Sequence, residues 1–178
     1  MKKLYSQIRT GDRTLYFTGL IHLILAALFI VAVVADSRTI NSEAIWMKPF
    51  RFTDAIFFFT WTYAWFSQFY QYKKSVRVLN LLISVCMFIE ITLISLQALW
   101  GVPSHFNTST TFDASVFSVM GGAIGFNAVI IGIHFLLFAF VEKGGGKFRT
   151  AIIWGMILFL LGNFTGYLMI NQFTAVTG

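Results

Sequence analysis

Five long apolar runs, separated by short polar links, constrain the fold of this chain more than any other feature. They cover approximately residues 15–35, 52–70, 78–100, 114–141 and 151–170. Because a helix crosses the roughly 30 Å hydrocarbon core of a bilayer in about 20 residues, each run is long enough to span a membrane. With 57% hydrophobic and only 11% charged residues, the chain also has too little polar surface to cover a soluble globule. The sequence therefore predicts an all-α integral membrane protein with five transmembrane helices.

The positive charges in the links predict how these helices are oriented. Ten of the 13 Lys and Arg residues fall in the N-terminal head and in the links after the second and fourth runs: Lys2, Lys3, Arg9, Arg13, Lys73, Lys74, Arg77, Lys143, Lys147 and Arg149. The opposite side holds only Arg38, Lys48 and Arg51. Since cytoplasmic loops carry an excess of Lys and Arg, we expect a cytoplasmic N-terminus and an external C-terminus. A plasma membrane, in particular a bacterial inner membrane, is the expected location.

Short links between the runs predict that neighbouring helices pack antiparallel in one compact bundle, a single domain over residues 1–178. The basic head before the first run is typical of a signal peptide, but the run is longer than a signal core and is expected to be retained. The net charge of +6 follows from the cytoplasmic loops, which argues against nucleic-acid binding. The single cysteine, Cys86, lies inside an apolar run and allows neither an intrachain disulfide nor a thiolate metal cluster.

Two loops on the predicted outer face carry the densest groups of hydrogen-bonding side chains. They are residues 36–54 and 100–113, and their candidate ligand-contacting residues are Trp46, Lys48, Arg51, Trp100, Ser104, His105 and Asn107. Lys48 and Arg51 suit a phosphate or carboxylate group, while the two tryptophans would form walls. The alternative interpretation is structural, because tryptophans lie at membrane interfaces, basic side chains snorkel, and Thr111 or Asp113 would cap the following helix.

Polar residues inside the apolar runs are the stronger indication of a site, because an ionisable group in the hydrocarbon region is energetically expensive. Glu90 and Gln97 lie seven residues apart on one helical face and would form the floor of an outward-facing pocket. Asp54, Asn127 and Asn163 would add to a polar file along the bundle axis. A static hydrogen-bond network that fixes helix packing is the alternative, especially for the amides. Protonated, Glu90 would donate a hydrogen bond; ionised, it would need a cation beside it.

Small residues within the runs predict close contacts between helices. Three glycines mark the fourth run and three mark the fifth: Gly121, Gly122, Gly125, Gly155, Gly162 and Gly166. These small-residue stripes are therefore expected to let helix backbones approach closely in a packed interior. Gly19 and Ala26 flank His22 in the first run, so His22 is expected to face a neighbouring helix rather than lipid.

His22 and His134 support an alternative function. Each lies about seven residues, or roughly 10 Å, inside the predicted cytoplasmic boundary, and the two are on different helices. Two histidines at one depth are typical of axial haem ligands in b-type membrane cytochromes, so a haem b electron carrier is the second hypothesis. Hydrogen bonds from each histidine to a backbone carbonyl would be the structural explanation. His105 lies in an outer loop and cannot join them, so no three-histidine metal site is expected.

No catalytic motif is present, since the sequence has no nucleophile elbow, zinc-protease motif, P-loop or dinucleotide fingerprint. An enzyme that uses His105 with Asp113 or Glu90 therefore has no support from a motif. A further class is a structural or assembly subunit of a membrane complex, or a homo-oligomer. In that case the glycine stripes or the aromatic faces would form the contact surface.

In length, helix number and aromatic content, with 18% Phe, Trp and Tyr, the chain resembles the translocator protein family of five-helix membrane proteins. That family has a Trp- and Pro-rich opening into its second helix, where this chain has Trp46-Met47-Lys48-Pro49-Phe50 with one proline. The resemblance implies a bundle that holds hydrophobic ligands and assigns no binding residue. The residues themselves favour an outward-facing polar pocket, surrounded by membrane lipids, that binds or transports a small molecule or lipid.

Overall fold

Helices make up nearly all of the regular structure. The computed structural model describes residues 2–71 and 73–177, with side chains described up to residue 169; Met1, Tyr72 and Gly178 lie outside the described residues. The described chain forms six α-helices: α1 (Lys2–Gly11), α2 (Arg13–Ala35), α3 (Met47–Phe66), α4 (Lys73–Trp100), α5 (Thr111–Leu136) and α6 (Arg149–Thr177). The smaller elements are a hairpin of β1 (Thr39–Ile40) and β2 (Glu43–Ala44), 3₁₀ turns at Ser67–Phe69 and Gly146–Phe148, and a π turn at Leu137–Val141. The predicted all-α class is confirmed.

Four helical segments are long and apolar enough to cross a membrane: Arg13–Ala35, Lys73–Trp100, Thr111–Val141 and Gly146–Met169. They correspond to the first, third, fourth and fifth apolar runs, and they indicate a membrane location. The second run forms α3, which is not among the four. Its sequence mixes Phe with Thr, Trp, Tyr and three charged residues, which lowers its mean hydropathy.

Most helices begin before the apolar run that predicted them. α3 begins at Met47 rather than at residue 52, and α4 begins at Lys73 rather than at residue 78. α3 also ends at Phe66, before the predicted end at residue 70. Hydropathy marks the part of a helix that lies in apolar surroundings, whereas backbone hydrogen bonds and caps set its ends.

The start of α5 shows a reciprocal cap. The backbone N–H of Asp113 donates to Thr110 Oγ1 at 3.1 Å, and Thr110 Oγ1 donates to Asp113 Oδ2 at 2.6 Å. The capping residue is therefore Thr110, one position before the predicted Thr111, and Asp113 contributes from the third helical position. These bonds satisfy one of the amide groups that a helix start leaves without an intrahelical partner.

Three segments with basic residues meet at one end of the bundle, the basic end: α1, the link between α3 and α4, and the link between α5 and α6. The backbone N–H of Gln71 donates to Glu142 Oε1 at 2.8 Å, which joins the two links. α1 packs so closely on α3 that a Cβ added at Gly11 would collide with the backbone oxygen of Ala64. Glycine is therefore required at this contact.

Arg149 closes the basic end. Its guanidinium donates to the carbonyl oxygens of Glu142 at 2.6 Å, Ala139 at 2.9 Å and Gly144 at 3.3 Å. It also lies 5.3 Å from the ring centroid of Phe138, which is completely buried. The planar fork of an arginine can hold several carbonyls in this way, so Arg149 fixes the link to the last turns of the preceding helix.

α2 and α3 pack against each other over more of their length than any other pair of elements. Gly19 makes this possible, because an added Cβ would collide with the side chains of Thr60 and Trp61. His22 is completely buried one turn further along α2, and its ring lies 5.0 Å from that of Phe88 on α4. The expectation that His22 faces a neighbouring helix is confirmed.

The prediction of close contact through the glycines of α5 and α6 is wrong. A Cβ added at any of the six positions would meet no atom of the described residues within 4 Å: Gly121, Gly122, Gly125, Gly155, Gly162 and Gly166. Small residues permit a close approach of two backbones, but they do not require one when the rest of the face is bulky. Here Phe117, Phe159 and Phe164 accompany the glycines, and a cleft remains between the helices.

Candidate functional site

Two cavities lie toward the end of the bundle opposite the basic end. This hairpin end consists of residues 36–46, the first two turns of α3 and the loop 101–110. Arg38 ties the hairpin to the end of α4 by donating to the carbonyl of Leu99 at 3.1 Å. The larger cavity, the α5–α6 cleft, has a volume of about 730 Å³. The smaller one, the hairpin pocket, has a volume of about 370 Å³. Both are lined by His105 and Phe106, which therefore stand at the boundary between them.

The walls of the α5–α6 cleft are mostly apolar. The described polar side chains among them are Glu90, His105, Asn163 and Tyr167. The glycines at 121, 125, 162 and 166 line the cleft without side chains, and aromatic rings line the wall between them. A wall of this kind suits the apolar part of a ligand and offers few groups to orient its polar part.

Glu90 is the most unusual group in the cleft. Its side chain is 1% exposed, and neither carboxyl oxygen has a hydrogen-bond partner among the described residues. Gln97, seven residues further along the same face of α4, is equally buried but donates to Asp113 Oδ1 at 3.2 Å. Burying a carboxyl group without partners is costly, and natural proteins rarely retain one without a role.

Lys48 is the cation of the hairpin pocket. Its ammonium group lies 6.0 Å from the ring centroid of Phe52 and is close enough to interact electrostatically with Glu43 and Glu90. Neither carboxylate is within 4.0 Å of it, so Lys48 forms no direct ion pair with either. The two arginines of the hairpin end differ, since Arg38 pairs with Asp36 and Arg51 pairs with Glu43, both at 2.7 Å.

His105 links the two cavities. Its Nδ1 and Ser104 Oγ share a hydrogen bond of 3.1 Å, and its ring lies 5.6 Å from that of Phe52 and 6.3 Å from that of Phe117. Burial, together with the nearby charge of Lys48, lowers the pKa of His105 to about 4. The imidazole is therefore neutral at physiological pH and acts as a hydrogen-bonding wall rather than as a cation.

The loop that carries His105 is held in shape by its own side chains. Asn107 donates to the carbonyl of Pro103 at 3.1 Å and accepts from the backbone N–H of Ser109 at 3.1 Å. Phe106 has a φ of 57°, a left-handed conformation that is rare for a bulky residue. Asn107 thus supports the loop, while its neighbours His105 and Phe106 form the boundary of the cavities.

The remaining candidate residues line neither cavity. Trp46 donates a hydrogen bond from Nε1 to Asp36 Oδ2 at 2.9 Å. The side chain of Trp100 is 56% exposed, and its ring packs against that of Phe112. Asp54 is half-buried on α3, and Asn127 is buried on α5 with its carbonyl oxygen unpartnered. Of the predicted set, the cavities bring together Lys48, Glu90, Ser104, His105 and Asn163.

The two histidines of the haem hypothesis pack into separate aromatic surroundings. Nδ1 of His22 lies 2.8 Å from the carbonyl oxygen of Thr18, as expected for a structural histidine. His134 shares a 3.1 Å hydrogen bond with the hydroxyl of Tyr70, and its ring contacts those of Tyr63 and Tyr70. Neither histidine lines either cavity. No observation therefore favours haem over the structural explanation.

Ser104, His105 and Asp113 are not arranged as the nucleophile, base and orienting group of a hydrolase. The hydroxyl of Ser104 contacts His105, but Asp113 is hydrogen bonded to Gln97 and Thr110 rather than to the imidazole. A nucleophile, a base and a group that orients the base are thus not assembled. Among the described residues, no group of three or more His, Cys, Asp or Glu side chains is placed to hold a metal ion.

Sequence reasoning missed several residues of the site. Phe117 and Tyr167 line the cleft from two helices, and Glu43 joins the hairpin pocket and holds Arg51. The aromatic residues gave no signal, because apolar rings are common throughout the chain. Glu43 is one of only seven acidic residues and lies in the loop that carries Lys48, which was the available clue.

The chain matches no family model, no curated protein and no solved structure. The likeness to translocator proteins is thus one of length, helix number and aromatic content. What the fold defines is a helical protein with four candidate membrane spans.

Proposed function

We propose that this membrane protein binds or transports an amphipathic small molecule or lipid at the hairpin end. The apolar part of the ligand occupies the α5–α6 cleft, and its polar part lies near Glu90, His105 and Lys48. The observation that carries the proposal is Glu90, a buried carboxyl group without a partner at the wall of an apolar cleft.

A purely structural Glu90 would resemble Gln97, whose amide joins α4 to α5 through Asp113. Glu90 makes no such bond, and an ionisable residue within a membrane-spanning helix generally serves binding or transport. A ligand that hydrogen bonds to the carboxyl group would offset the cost of its burial. The ligand thus supplies the partner that the described protein side chains do not.

The cleft supports a ligand of lipid-like character. Its volume of about 730 Å³ falls within the roughly 300–1,000 Å³ typical of small-molecule sites. It lies between α5 and α6, and α6 is the least buried of the four candidate spans. An apolar molecule can therefore enter from the surrounding lipid between the two helices.

The proposal includes a topology of five spans. α3 has 20 residues, enough for roughly 30 Å, and its three charged residues, Lys48, Arg51 and Asp54, all lie in its first two turns. Together with the four candidate spans it gives a cytoplasmic basic end, an external hairpin end and an external C-terminus. The cavities then open toward the outer face.

Cysteine labelling tests this topology. In a Cys86→Ser background, Ser75→Cys near the basic end and Ser109→Cys in the hairpin-end loop are matched changes at exposed serines. A membrane-impermeant maleimide applied to intact cells should label Ser109→Cys and should label Ser75→Cys only after lysis. The reverse pattern would invert the proposed orientation.

Mass spectrometry of the purified protein tests the ligand. After purification in a mild detergent, the wild type should retain a small molecule or lipid, and Glu90→Gln should lose it or bind it about tenfold more weakly, a difference of about 1.4 kcal/mol. Asp54→Asn is the matched control, since it makes the same change at a carboxyl outside both cavities. The absence of any retained molecule in the wild type, or an equal loss in both variants, would contradict the proposal.

The pH dependence of binding gives a second readout. If the state of the Glu90 carboxyl controls binding, the affinity of the wild type should change between pH 5 and pH 8 and that of Glu90→Gln should change less. A flat profile in both proteins, with intact folding, would count against a role for Glu90.

A second candidate function is that of an assembly subunit, and it rests on the open faces of α5 and α6. The six glycine positions of these helices have free space beside them, so another helix could pack there. Co-purification of a second copy or of another subunit in a fixed stoichiometry, with no small molecule retained, would favour this function.

A further inference from the structure

Two opposite charges lie on either side of His105. Lys48 lines the hairpin pocket and Glu90 lines the α5–α6 cleft, while His105 and Phe106 line both. The charges are more than 4.0 Å apart but near enough to interact electrostatically. A polar group inserted between them would thus contact a carboxyl group on the apolar side and an ammonium group on the loop side.

We propose that the site selects a zwitterionic amphiphile in which an apolar body is followed first by an ammonium group and then by a carboxylate or phosphate. The apolar body lies in the cleft, the ammonium group binds Glu90, and the anionic group binds Lys48. This inference rests on the proposed function and specifies the chemistry of its ligand. The two sources of such chemistry are α-amino acids with apolar side chains and long-chain aminoalkyl phosphates.

Two of the polar side chains that line the cleft, Glu90 and Asn163, offer oxygen atoms that accept hydrogen bonds. Glu90 offers two carboxyl oxygens. The amide nitrogen of Asn163 donates to the carbonyl of Phe159 at 2.9 Å, and its carbonyl oxygen can accept a hydrogen bond from a ligand. A ligand donor beside the apolar body would satisfy these oxygens, and an ammonium group also complements the charge of a carboxylate.

Lys48 is the cation of the hairpin end that is available to an anion. The guanidinium groups of Arg38 and Arg51 are each held by a carboxylate at 2.7 Å, and neither arginine lines a cavity. Lys48 has no such direct pair and is half-buried beside the pocket. A carboxylate or phosphate bound there would be shielded from water, which strengthens its attraction to the ammonium group.

Ligands with only one of the two charges fit this arrangement less well. A simple carboxylic acid would place no donor at Glu90, and a simple amine would leave Lys48 without its anion. Because unpaired groups at a partly buried site are penalised, discrimination against both analogues should exceed that produced by the apolar body alone.

Three compounds with the same indole body test the inference: tryptophan, tryptamine and indole-3-propionate. Binding is measured by calorimetry to the full-length protein in phosphatidylglycerol nanodiscs. Tryptophan should bind at least about tenfold more tightly than either single-charge analogue, which is about 1.4 kcal/mol or more. A second arm compares sphingosine 1-phosphate with sphingosine and shows whether the apolar body is a short side chain or a long one. An analogue with one charge that binds as tightly as the zwitterion in both arms would overturn the inference.

Two variants assign the charges. Glu90→Gln should abolish the preference for the zwitterion over the acid, and Lys48→Gln should abolish its preference over the amine. Arg51→Gln, which removes an ion-paired cation outside the cavities, should leave both preferences unchanged. Lys48→Arg keeps the charge and should keep the preference, which separates loss of charge from loss of folding. If Glu90→Gln and Lys48→Gln each weaken the binding of all three compounds equally, the assignment of the ammonium group to Glu90 and the anionic group to Lys48 is wrong.

The outcomes separate this inference from the proposed function. If the wild type retains a molecule on purification but shows no preference for the zwitterion, only the charge-selective inference fails. If nothing is retained and no probe binds, both fail.

Discussion

Charged side chains toward the two ends of this helical bundle differ in their hydrogen-bond partners. At the basic end, Arg149 donates to three carbonyls and Glu142 accepts from a backbone amide. Toward the hairpin end, Glu90 lies beside an open cleft, and no described residue forms a hydrogen bond with its carboxyl group. The charged groups of one end thus hold helices together, whereas the buried carboxyl of the other end does not.

The glycines show the same difference. Gly11 and Gly144 lie against the backbone oxygens of Ala64 and Phe69, with no room for a side chain. Gly121 and Gly125 border the cleft with free space on their open sides. The same residue type therefore closes the structure at one end and widens a cavity at the other, so composition does not reveal which role a glycine has.

Gly11→Ala should have the largest effect on stability. The new methyl group would collide with the backbone of α3, which cannot move without displacing the helix, so we expect a loss of about 3 kcal/mol. The buried Cys86 provides the measurement, because a thiol-reactive fluorophore will label it only as the protein unfolds on heating in detergent. Gly125→Ala is the control and should leave stability unchanged or slightly higher. Equal effects of the two substitutions would mean that the ends do not differ in packing.

Arg149→Leu should rank second, with a loss of about 2–3 kcal/mol, because three carbonyl oxygens would lose a charged donor. Lys147→Leu removes a neighbouring cation that is exposed, and it should change stability by less than about 0.5 kcal/mol. The Cys86 labelling assay measures both variants. If Arg149→Leu is as stable as the wild type, Arg149 does not hold the link between α5 and α6 in place.

Glu90→Leu should have the opposite sign. Replacing a buried, unpartnered carboxyl group by an apolar side chain should raise stability by about 1–2 kcal/mol in detergent without added ligand. Gln97→Leu on the same face should lower it, since Asp113 would lose a donor. If both variants are destabilised alike, Glu90 is a structural residue and the contrast between the ends disappears.

His105 should produce the most gradual effect, a dependence of stability on pH. Its pKa is about 4 in the folded protein and near its usual value of 6.5 in the unfolded chain. Between these values the unfolded state binds more protons, so stability is fully present above pH 6.5 and falls as the pH is lowered toward 4. The unfolding midpoint, measured across this range, should vary less in His105→Gln. Parallel curves for the two proteins would show that His105 is not held in its neutral form.

Hydropathy was sufficient to predict the five long helices but not α1, whose residues are mostly polar, and charge was sufficient to propose an orientation. Hydropathy also set the helix ends only approximately. It could not show that α3 begins at Met47 or that Thr110 caps α5, because these depend on individual hydrogen bonds. The choice of Glu90 from the sequence followed from the cost of a carboxyl group in an apolar helix. Its lack of a partner, in contrast to Gln97, could be seen only once α4 and α5 were packed together.

Lys48 and Arg51 looked equivalent in the sequence, since both are basic and flank the same proline. The fold separates them, because the hairpin brings Glu43 to Arg51 and leaves Lys48 beside the pocket. His105 was expected to contact a ligand from an outer loop, and the fold places it at the boundary of two cavities. Such pairings join residues that are distant along the chain, so no local pattern encodes them.

The sequence by itself determined the class of this protein, an all-α chain with spans apolar enough for a membrane, because hydrophobicity and helix length act locally along the chain. Only the tertiary structure decided which polar groups are satisfied, which glycines are in contact and where space remains. Those properties depend on the relative positions of helices, and the same apolar faces can pack closely or leave a cleft. Glu90 illustrates both contributions. The sequence places a carboxyl group in an apolar helix, and the fold leaves that group without a hydrogen-bond partner among the described residues, beside the α5–α6 cleft.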